Sequence, residues 1–296
     1  MASTTSSDAG VSSAPYAVEF LGGGRMGEAL LAGLLAGGHV AVTDLAVVER
    51  DAPRRAALAA RHPGLHVVEH PVAARLVVVC TKPGDVPAAL SAAASAGLER
   101  VVSIAAGVTT TSIEAVLAPT LGAVPVVRAM PNTPALVGAG ATAIATGSHA
   151  SDVDLDDAES LLSPAGLVIR VDESLMDAVT AVSGSGPAYV FLLAEAMIDA
   201  GTAAGLSRPD AEALVGQTLL GAARLLCEQD DDAASLRAAV TSPGGTTEAA
   251  IAVLEDRDLR GSMAAAIDAA VRRAAELDVA SPSSPPAAGS VAAGGE

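Results

Sequence analysis

Three stretches carry residue types whose spacing could do chemistry. Gly22-Gly23-Gly24-Arg25-Met26-Gly27 follows the short apolar run Tyr16–Leu21 and precedes an Ala/Leu segment from Glu28 to Leu35 that Gly37-Gly38 closes. Between a strand and a helix, Gly-x-Gly-x-x-Gly is a dinucleotide fingerprint. The glycines allow a tight turn, let backbone approach a pyrophosphate, and let the helix pack closely. Thr81-Lys82-Pro83-Gly84-Asp85 follows the unbroken apolar run Leu76–Cys80, which reads as a buried parallel strand. Lys82 is the only lysine among 17 basic residues, and it stands at the carboxyl end of a strand, where open α/β sheets bind ligands. The third stretch, Ser242-Pro243-Gly244-Gly245-Thr246-Thr247-Glu248, stops one helix and starts another. Its bare helix N-terminus, glycine amides and hydroxyls suit a carboxylate, with each charge-assisted hydrogen bond contributing ~1.5–3 kcal/mol where water is excluded. A capped interhelical turn that binds nothing has the same local features.

The elements that must position these groups follow from periodicity. Strands are expected at Tyr16–Leu21, near Ala46–Val48, at Leu76–Cys80, at Val101–Ile104 and at Val124–Arg128. The second ends at Glu49-Arg50, where an adenine ribose would be read: an acid favours NAD hydroxyls and an arginine favours the 2′-phosphate of NADP. Arg50, backed by Arg54 and Arg55, tips the expectation toward NADPH, with NADH possible. Small residues at Ala105-Ala106-Gly107 would let a nicotinamide or ribose lie against backbone, and Met130 to Leu136 forms a proline-braced loop. From Ala178 onward the period is helical. Ser183-Gly184-Ser185-Gly186-Pro187 starts a helix that Gly201 ends, Ser207 caps the next to about Cys227, and Leu259 to Leu277 is the last. These helices are apolar on more than one face, which points to a helical dimer.

Composition bounds the partners. The chain has 296 residues, 51% hydrophobic but with only two Tyr, two Phe and no Trp, so packing relies on Ala, Val and Leu. A net charge of −17 argues against nucleic acid. Acidic runs at 152–157 and 230–232 read as solvated helix starts. Cys80 and Cys227 form no redox or metal spacing, and the histidines form no zinc pattern, so no metal is expected. No apolar run is seen to reach the ~20 residues of a membrane span. The first 15 residues lack a targeting pattern and read as a disordered lead; 281–296 read as a disordered tail. A cytoplasmic location is expected.

Read together, six segments resemble the pyrroline-5-carboxylate reductase family: Gly22–Gly27, Lys82-Pro83, Ser103–Val108, Arg128–Pro134, Ser183–Tyr189 and Ser242–Thr247. The resemblance runs from residue 16 to about 278. It implies NAD(P)H-dependent reduction of 1-pyrroline-5-carboxylate to L-proline. The implied fold is α/β, a Rossmann dinucleotide-binding domain over 16–177 followed by an all-α dimerisation and substrate domain over 178–280, in a homodimer or an oligomer built from dimers. On the cofactor side it implies Leu21, Gly22, Gly23, Gly24, Arg25 and Met26 at the pyrophosphate. Cys80, Thr81, Lys82 and Pro83, with Ile104, Ala105 and Ala106, would line the nicotinamide side. Glu173, Thr246 and Thr247 fall at substrate-contact positions. We expect Gly244 to Thr247 to grip the substrate carboxylate, Thr247 to reach the ring nitrogen, and Ser242 to shape the loop. Three departures stand out: Glu49 where many relatives are neutral, Ala239 where some have Asn, and Thr81 where Val is common. Two other readings are weaker. A β-hydroxyacid dehydrogenase would need a lysine in the second domain, and none follows Lys82. A non-enzymatic cofactor-binding redox sensor would bind the dinucleotide without turnover.

Overall fold

The computed structural model describes residues 16–38 and 40–279; the lead and tail expected to be disordered lie outside the described residues. Contacts divide the chain into two units. One runs to Thr180 and takes up the chain again from Arg272; the other is Ala181–Val271.

The first unit alternates strand and helix: β1 (Tyr16–Leu21), α1 (Arg25–Gly37), β2 (Leu45–Val48), α2 (Ala52–Arg61), β3 (His66–Val68), β4 (Ala74–Val79), α3 (Val86–Ala96) and β5 (Leu98–Ser103). It continues with α4 (Thr110–Leu121), β6 (Val126–Met130), β7 (Gly140–Thr146), α5 (Asp152–Leu162), β8 (Gly166–Arg170) and a single turn, α6 (Met176–Val179). The strands form one sheet in the order β3-β2-β1-β4-β5-β6-β7-β8. All pairs are parallel except β6 with β7. Chain order reverses direction at β1, which lies between β2 and β4, and there the strand ends open a crevice suited to a ligand. Separate apolar cores cover the sheet's faces, one around Phe20, Leu31 and Ile144, the other around Leu21, Leu90 and Ile113.

Local chemistry sets the boundaries. Helix α1 begins three residues before the expected Glu28, because Gly24 in extended conformation serves as its N-cap and places Arg25 to Gly27 of the fingerprint in the first turn. Its stop is Gly38, left-handed at φ 69°, whose N–H reaches the Leu35 carbonyl. Asp51 caps α2 by accepting from the Arg54 amide, and Thr109 caps α4 through the Ser112 amide. The acidic run at 152–157 opens α5 behind a Ser151/Asp154 capping box. Strands β7 and β8 were not expected: Gly-Ala-Thr-Ala-Ile-Ala-Thr carries too little contrast in an Ala-rich chain to announce a strand.

One buried charge site lies within this sheet. Glu19 on β1 is fully buried, with Oε1 accepting from the Val72 amide at 2.7 Å and Oε2 without a partner. Burial pushes its carboxyl up to about 7, against the smaller opposing effect of the Val72 hydrogen bond.

The second unit is helical: α7 (Gly186–Ala203), α8 (Arg208–Glu228), α9 (Ala233–Ala239), α10 (Thr246–Asp256) and α11 (Leu259–Val279), whose last turns from Arg272 group with the first unit. Ser207 caps α8 as expected, accepting from the Asp210 amide, and Asp232 of the second acidic run caps α9. Gly201 does not end α7. A helical glycine costs ~1 kcal/mol without forcing a stop, and the chain turns instead at Gly205, where φ is +107°. Ser185 to Pro187 do start α7 as expected, with Ser185 at the N-cap and Pro187 in the first turn, and a wide π-helical turn at Thr180–Gly184 leads into it. The run Glu173–Ala203 is therefore long and apolar enough, by length and composition alone, to cross a membrane, which corrects the expectation that no stretch reaches that length. Helix α7 has no buried residue, and Phe191 and Leu192 are 63% and 66% exposed.

Candidate active site

The crevice at the ends of β1, β2 and β4 is a cavity of about 440 Å³ whose walls include Gly22, Gly24, Glu49, Arg50, Thr81 and Lys82. Each glycine has a distinct reason to be there. Gly22 takes φ +107°, and a Cβ on it would lie 3.0 Å from the Cys80 carbonyl oxygen. A Cβ on Gly27 would come within 2.5 Å of the Gly22 oxygen, so α1 could not approach the turn so closely. Gly24 faces open space, and as N-cap it supplies no side-chain hydrogen bond. The first-turn amides of α1 therefore lack intrahelical partners and, with the helix dipole, favour an anion.

The remaining walls fit a dinucleotide as well. Thr81 Oγ1 is buried without a hydrogen-bond partner, an orphaned polar atom in the lining of the cavity. Lys82 is exposed at the rim, and Pro83 opens the short 3₁₀ turn Pro83–Asp85. Burial pushes the Cys80 thiol up to about 12, so Cys80 is a neutral wall and not a nucleophile. Gly23, Arg25 and Met26 belong to the same turn and first helical residues but are not cavity walls. Leu21 is a wall, and its carbonyl accepts from the Cys80 amide at 2.8 Å. Ile104, Ala105 and Ala106 follow the neighbouring β5, tied back through Ile104 N–H to the Val79 carbonyl at 3.0 Å, and lie outside the lining.

The end of β2 is held by several side-chain hydrogen bonds and ion pairs. Glu49 accepts from the Gly23 amide through Oε2 at 3.2 Å and from the Asp51 amide through Oε1 at 2.9 Å. Arg50 is 77% exposed and pairs with Asp85 at 3.2 Å. Arg54 donates to the Gly23 carbonyl at 2.7 Å and pairs with Glu28 at 2.6 Å. Arg55 donates to the Glu49 and Arg50 carbonyls at 2.8 and 2.7 Å and pairs with Glu69 at 3.1 Å. Two of the arginines expected to back a phosphate reader, Arg54 and Arg55, thus brace the loop. Sequence reasoning did not single out Glu69, His70 and Pro71, which line the cavity from the segment after β3. That strand is three residues long, too short for its period to register.

The groups expected at the substrate fall in both units. In the first, Glu173 accepts from the Thr110 amide at 2.8 Å and hydroxyl at 2.6 Å, and pairs with the largely buried Arg128 at 3.3 Å. In the second, Ser242 to Thr247 link α9 to α10. Gly244 is left-handed at φ +72°, and a Cβ on Gly245 would meet Ser242 Oγ at 2.6 Å. The Gly244 amide donates to Glu248 Oε2 at 2.7 Å, and the Gly245 amide to the Ser242 carbonyl at 3.0 Å. Thr246 and Thr247 open α10 behind an N-cap, Gly245, that has no side-chain hydrogen bond. Among the described residues no group of three or more His, Cys, Asp or Glu could hold a metal ion.

A parallel sheet with a glycine-rich turn at its reversal point and an uncapped helix behind it defines a nicotinamide-dinucleotide oxidoreductase fold carrying a helical second part. Family models agree with this division. Residues 17–107 match the NADP oxidoreductase, coenzyme F420-dependent, model, and residues 173–277 match the pyrroline-5-carboxylate reductase dimerisation model. The chain is 44% identical over 290 residues to a pyrroline-5-carboxylate reductase of Mycobacterium leprae, covering 89% of this chain and 97% of the relative. It is 42% identical over 261 residues to that of Synechocystis, covering 87% and 96%. The solved pyrroline-5-carboxylate reductase of Coxiella burnetii superposes with a TM-score of 0.81 at 37% identity, covering 89% of this chain and 98% of the other. That of Plasmodium falciparum, with NADP bound, gives 0.74 at 26%, again covering 89% and 98%. The chain belongs to the pyrroline-5-carboxylate reductase family.

Proposed function

We propose that this protein reduces 1-pyrroline-5-carboxylate to L-proline with a reduced nicotinamide dinucleotide, working as a homo-oligomer in the cytoplasm. The observation that carries the reading is a glycine-lined crevice of about 440 Å³ at the sheet's reversal point in a chain that matches reductases over nearly its whole length. Bound in that crevice, the cofactor supplies a hydride. The chain's own residues bind, orient and exclude water. The first-turn amides of α1 hold the pyrophosphate, Thr81 offers its unpaired hydroxyl, and Lys82 places a cation at the rim. Cys80, a wall of the crevice, and Ile104, Ala105 and Ala106, which follow β5 outside its lining, are assigned to the nicotinamide side. We assign 16–177 to this cofactor half and 178–280 to the substrate and dimerisation half.

The substrate is a small acid with a cyclic imine, and a protonated C=N is electrophilic already. Positioning is then the main task, which fits the absence of a His/Asp acid–base pair from the residues singled out. Thr246 and Thr247 amides at the start of α10 hold the carboxylate, and Thr247 Oγ1 hydrogen-bonds the ring nitrogen. Ser242 shapes that turn over Gly245. Glu173, in the first unit, is a further substrate contact that the family resemblance implies, and it is held by Thr110 and Arg128. NADPH was the expected donor, with NADH possible; with Arg54 and Arg55 braced elsewhere, that expectation rests on Arg50.

The test is oxidation of NADPH and of NADH with and without pyrroline-5-carboxylate, in the wild type and in Thr247→Ala. Turnover dependent on the imine is expected, with kcat/KM down roughly tenfold or more in the variant, one decade being ~1.4 kcal/mol. Cofactor binding without turnover would leave the redox-sensor reading in its place.

A further inference from the structure

We propose that Glu49 selects the form of the dinucleotide, admitting the ribose diol of NADH and disfavouring the 2′-phosphate of NADPH. The inference rests on the cofactor reading above and deepens it.

Three observations carry it. First, Glu49 stands at the end of β2, where the adenine ribose of a dinucleotide bound across β1 and β2 must lie, and it is a wall of the cavity. Second, its carboxylate is held in place from two directions. The Gly23 amide of the fingerprint turn and the Asp51 amide ahead of α2 each donate to one of its oxygens. A carboxylate fixed by two amides is a preorganised acceptor for the two hydroxyls of a ribose, and each oxygen keeps a lone pair for them. A phosphate carrying close to two negative charges would instead face that fixed anion.

Third, the arginines that could offset the repulsion are committed. Arg54 is bound to the Gly23 carbonyl and Glu28, and Arg55 to two carbonyls and Glu69. Arg50 remains, and its guanidinium is neutralised by Asp85, a wall of the same cavity. Glu69 adds a further carboxylate to that wall. A 2′-phosphate therefore meets three carboxylates: Arg55 pairs with Glu69 and Arg50 with Asp85, while the Glu49 carboxylate is held by amides, and Lys82 of the same cavity follows β4, across β1 from it. The diol meets an acceptor already aligned. The sequence alone weighted these arginines toward NADPH, since it could not show that Arg54 and Arg55 serve the loop.

The experiment measures dissociation constants of NADH and NADPH for the full chain by titrating nicotinamide fluorescence, in the wild type, Glu49→Gln and Asp85→Asn. Gln keeps an acceptor for the Gly23 amide, so the turn stays formed while the charge is lost. We expect NADH to bind about tenfold or more tightly than NADPH in the wild type. Glu49→Gln should cut that ratio by about tenfold, with NADPH gaining and NADH losing. Asp85→Asn, which frees Arg50, should tighten NADPH severalfold more than it tightens NADH. NADPH binding more tightly than NADH in the wild type, or a ratio that Glu49→Gln does not move, overturns the assignment. Turnover is read separately: the predicted ratio in a protein that does not reduce pyrroline-5-carboxylate upholds the role of Glu49 and removes the proposed reaction.

Discussion

The two units use the same small apolar residues to opposite ends. In the first, Val and Leu runs disappear into cores on both faces of the sheet, and fully buried side chains such as Phe20, Leu90, Ile113 and Leu162 close the structure on itself. In the second, α7 buries nothing, and Val190, Phe191, Leu192 and Leu193 are all about half exposed or more. A sheet with helices on both faces completes its own core, whereas a few Ala-rich helices of low amphipathicity leave apolar surface on several sides. Such surface calls for another copy of the chain, in keeping with the dimerisation model that matches 173–277.

The comparison breaks most visibly at α7. Replacing Phe191 and Leu192 together by Asp should turn the oligomer into monomer by light scattering and lower activity more than a hundredfold, since buried aromatic and aliphatic anchors contribute ~2 kcal/mol or more each at an interface. NADH binding to the first unit should survive. An oligomer of unchanged mass would show that α7 is not where copies meet.

The first unit's self-sufficiency is best probed at Glu19. Its folded-state pKa of about 7 lies above the ordinary 4.5, so between those values the folded protein retains a proton that the unfolded chain releases. Stability is therefore unaffected below the unfolded value, falls as pH rises through this window, and reaches its full loss of about 3 kcal/mol above pH 7. Glu19→Gln, which keeps the acceptor for the Val72 amide, should leave the melting temperature unchanged at pH 4 and raise it by several degrees at pH 8. Equal pH profiles for the two proteins would mean that the carboxyl does not titrate as its burial implies.

Smaller effects sharpen the cofactor side. Gly22→Ala forces a Cβ to within 3.0 Å of the Cys80 carbonyl at φ +107°, and should cost about 1–3 kcal/mol of stability together with dinucleotide affinity. Gly24→Ala, which meets nothing, should leave the fold intact, so comparing melting curves of the pair separates crowding from a general need for glycine. Lys82→Met should weaken dinucleotide binding only severalfold in a titration, because the exposed ammonium at the rim is screened by solvent.

Much of the first unit was legible in the residues. Strand β1 begins and ends where the apolar run does, and β2, β4, β5 and β6 fall within three residues of their expected ends. Caps at Ser207 and Asp232 also lie where short polar residues precede helical periodicity. Legibility failed where contrast was low or a partner was distant. Strand β7 is rich in Ala and Thr, β8 is a five-residue edge strand, and Gly201 suggested a helix end that only the next turn, at Gly205, supplies.

What the sequence determined by itself was whatever depends on neighbours along the chain: the glycine turn between strand and helix, the buried parallel strands, the family's ordered motifs. Tertiary structure alone decided which charges meet. It tied Arg54 to Gly23 and Glu28, turned Glu49 onto the Gly23 amide 26 residues away, and set Asp85 against Arg50. It also occupied the Gly244 amide with Glu248. A side chain's partner across a sheet end is fixed by the packing of separate elements, and composition at one position carries no record of which neighbour will reach it first.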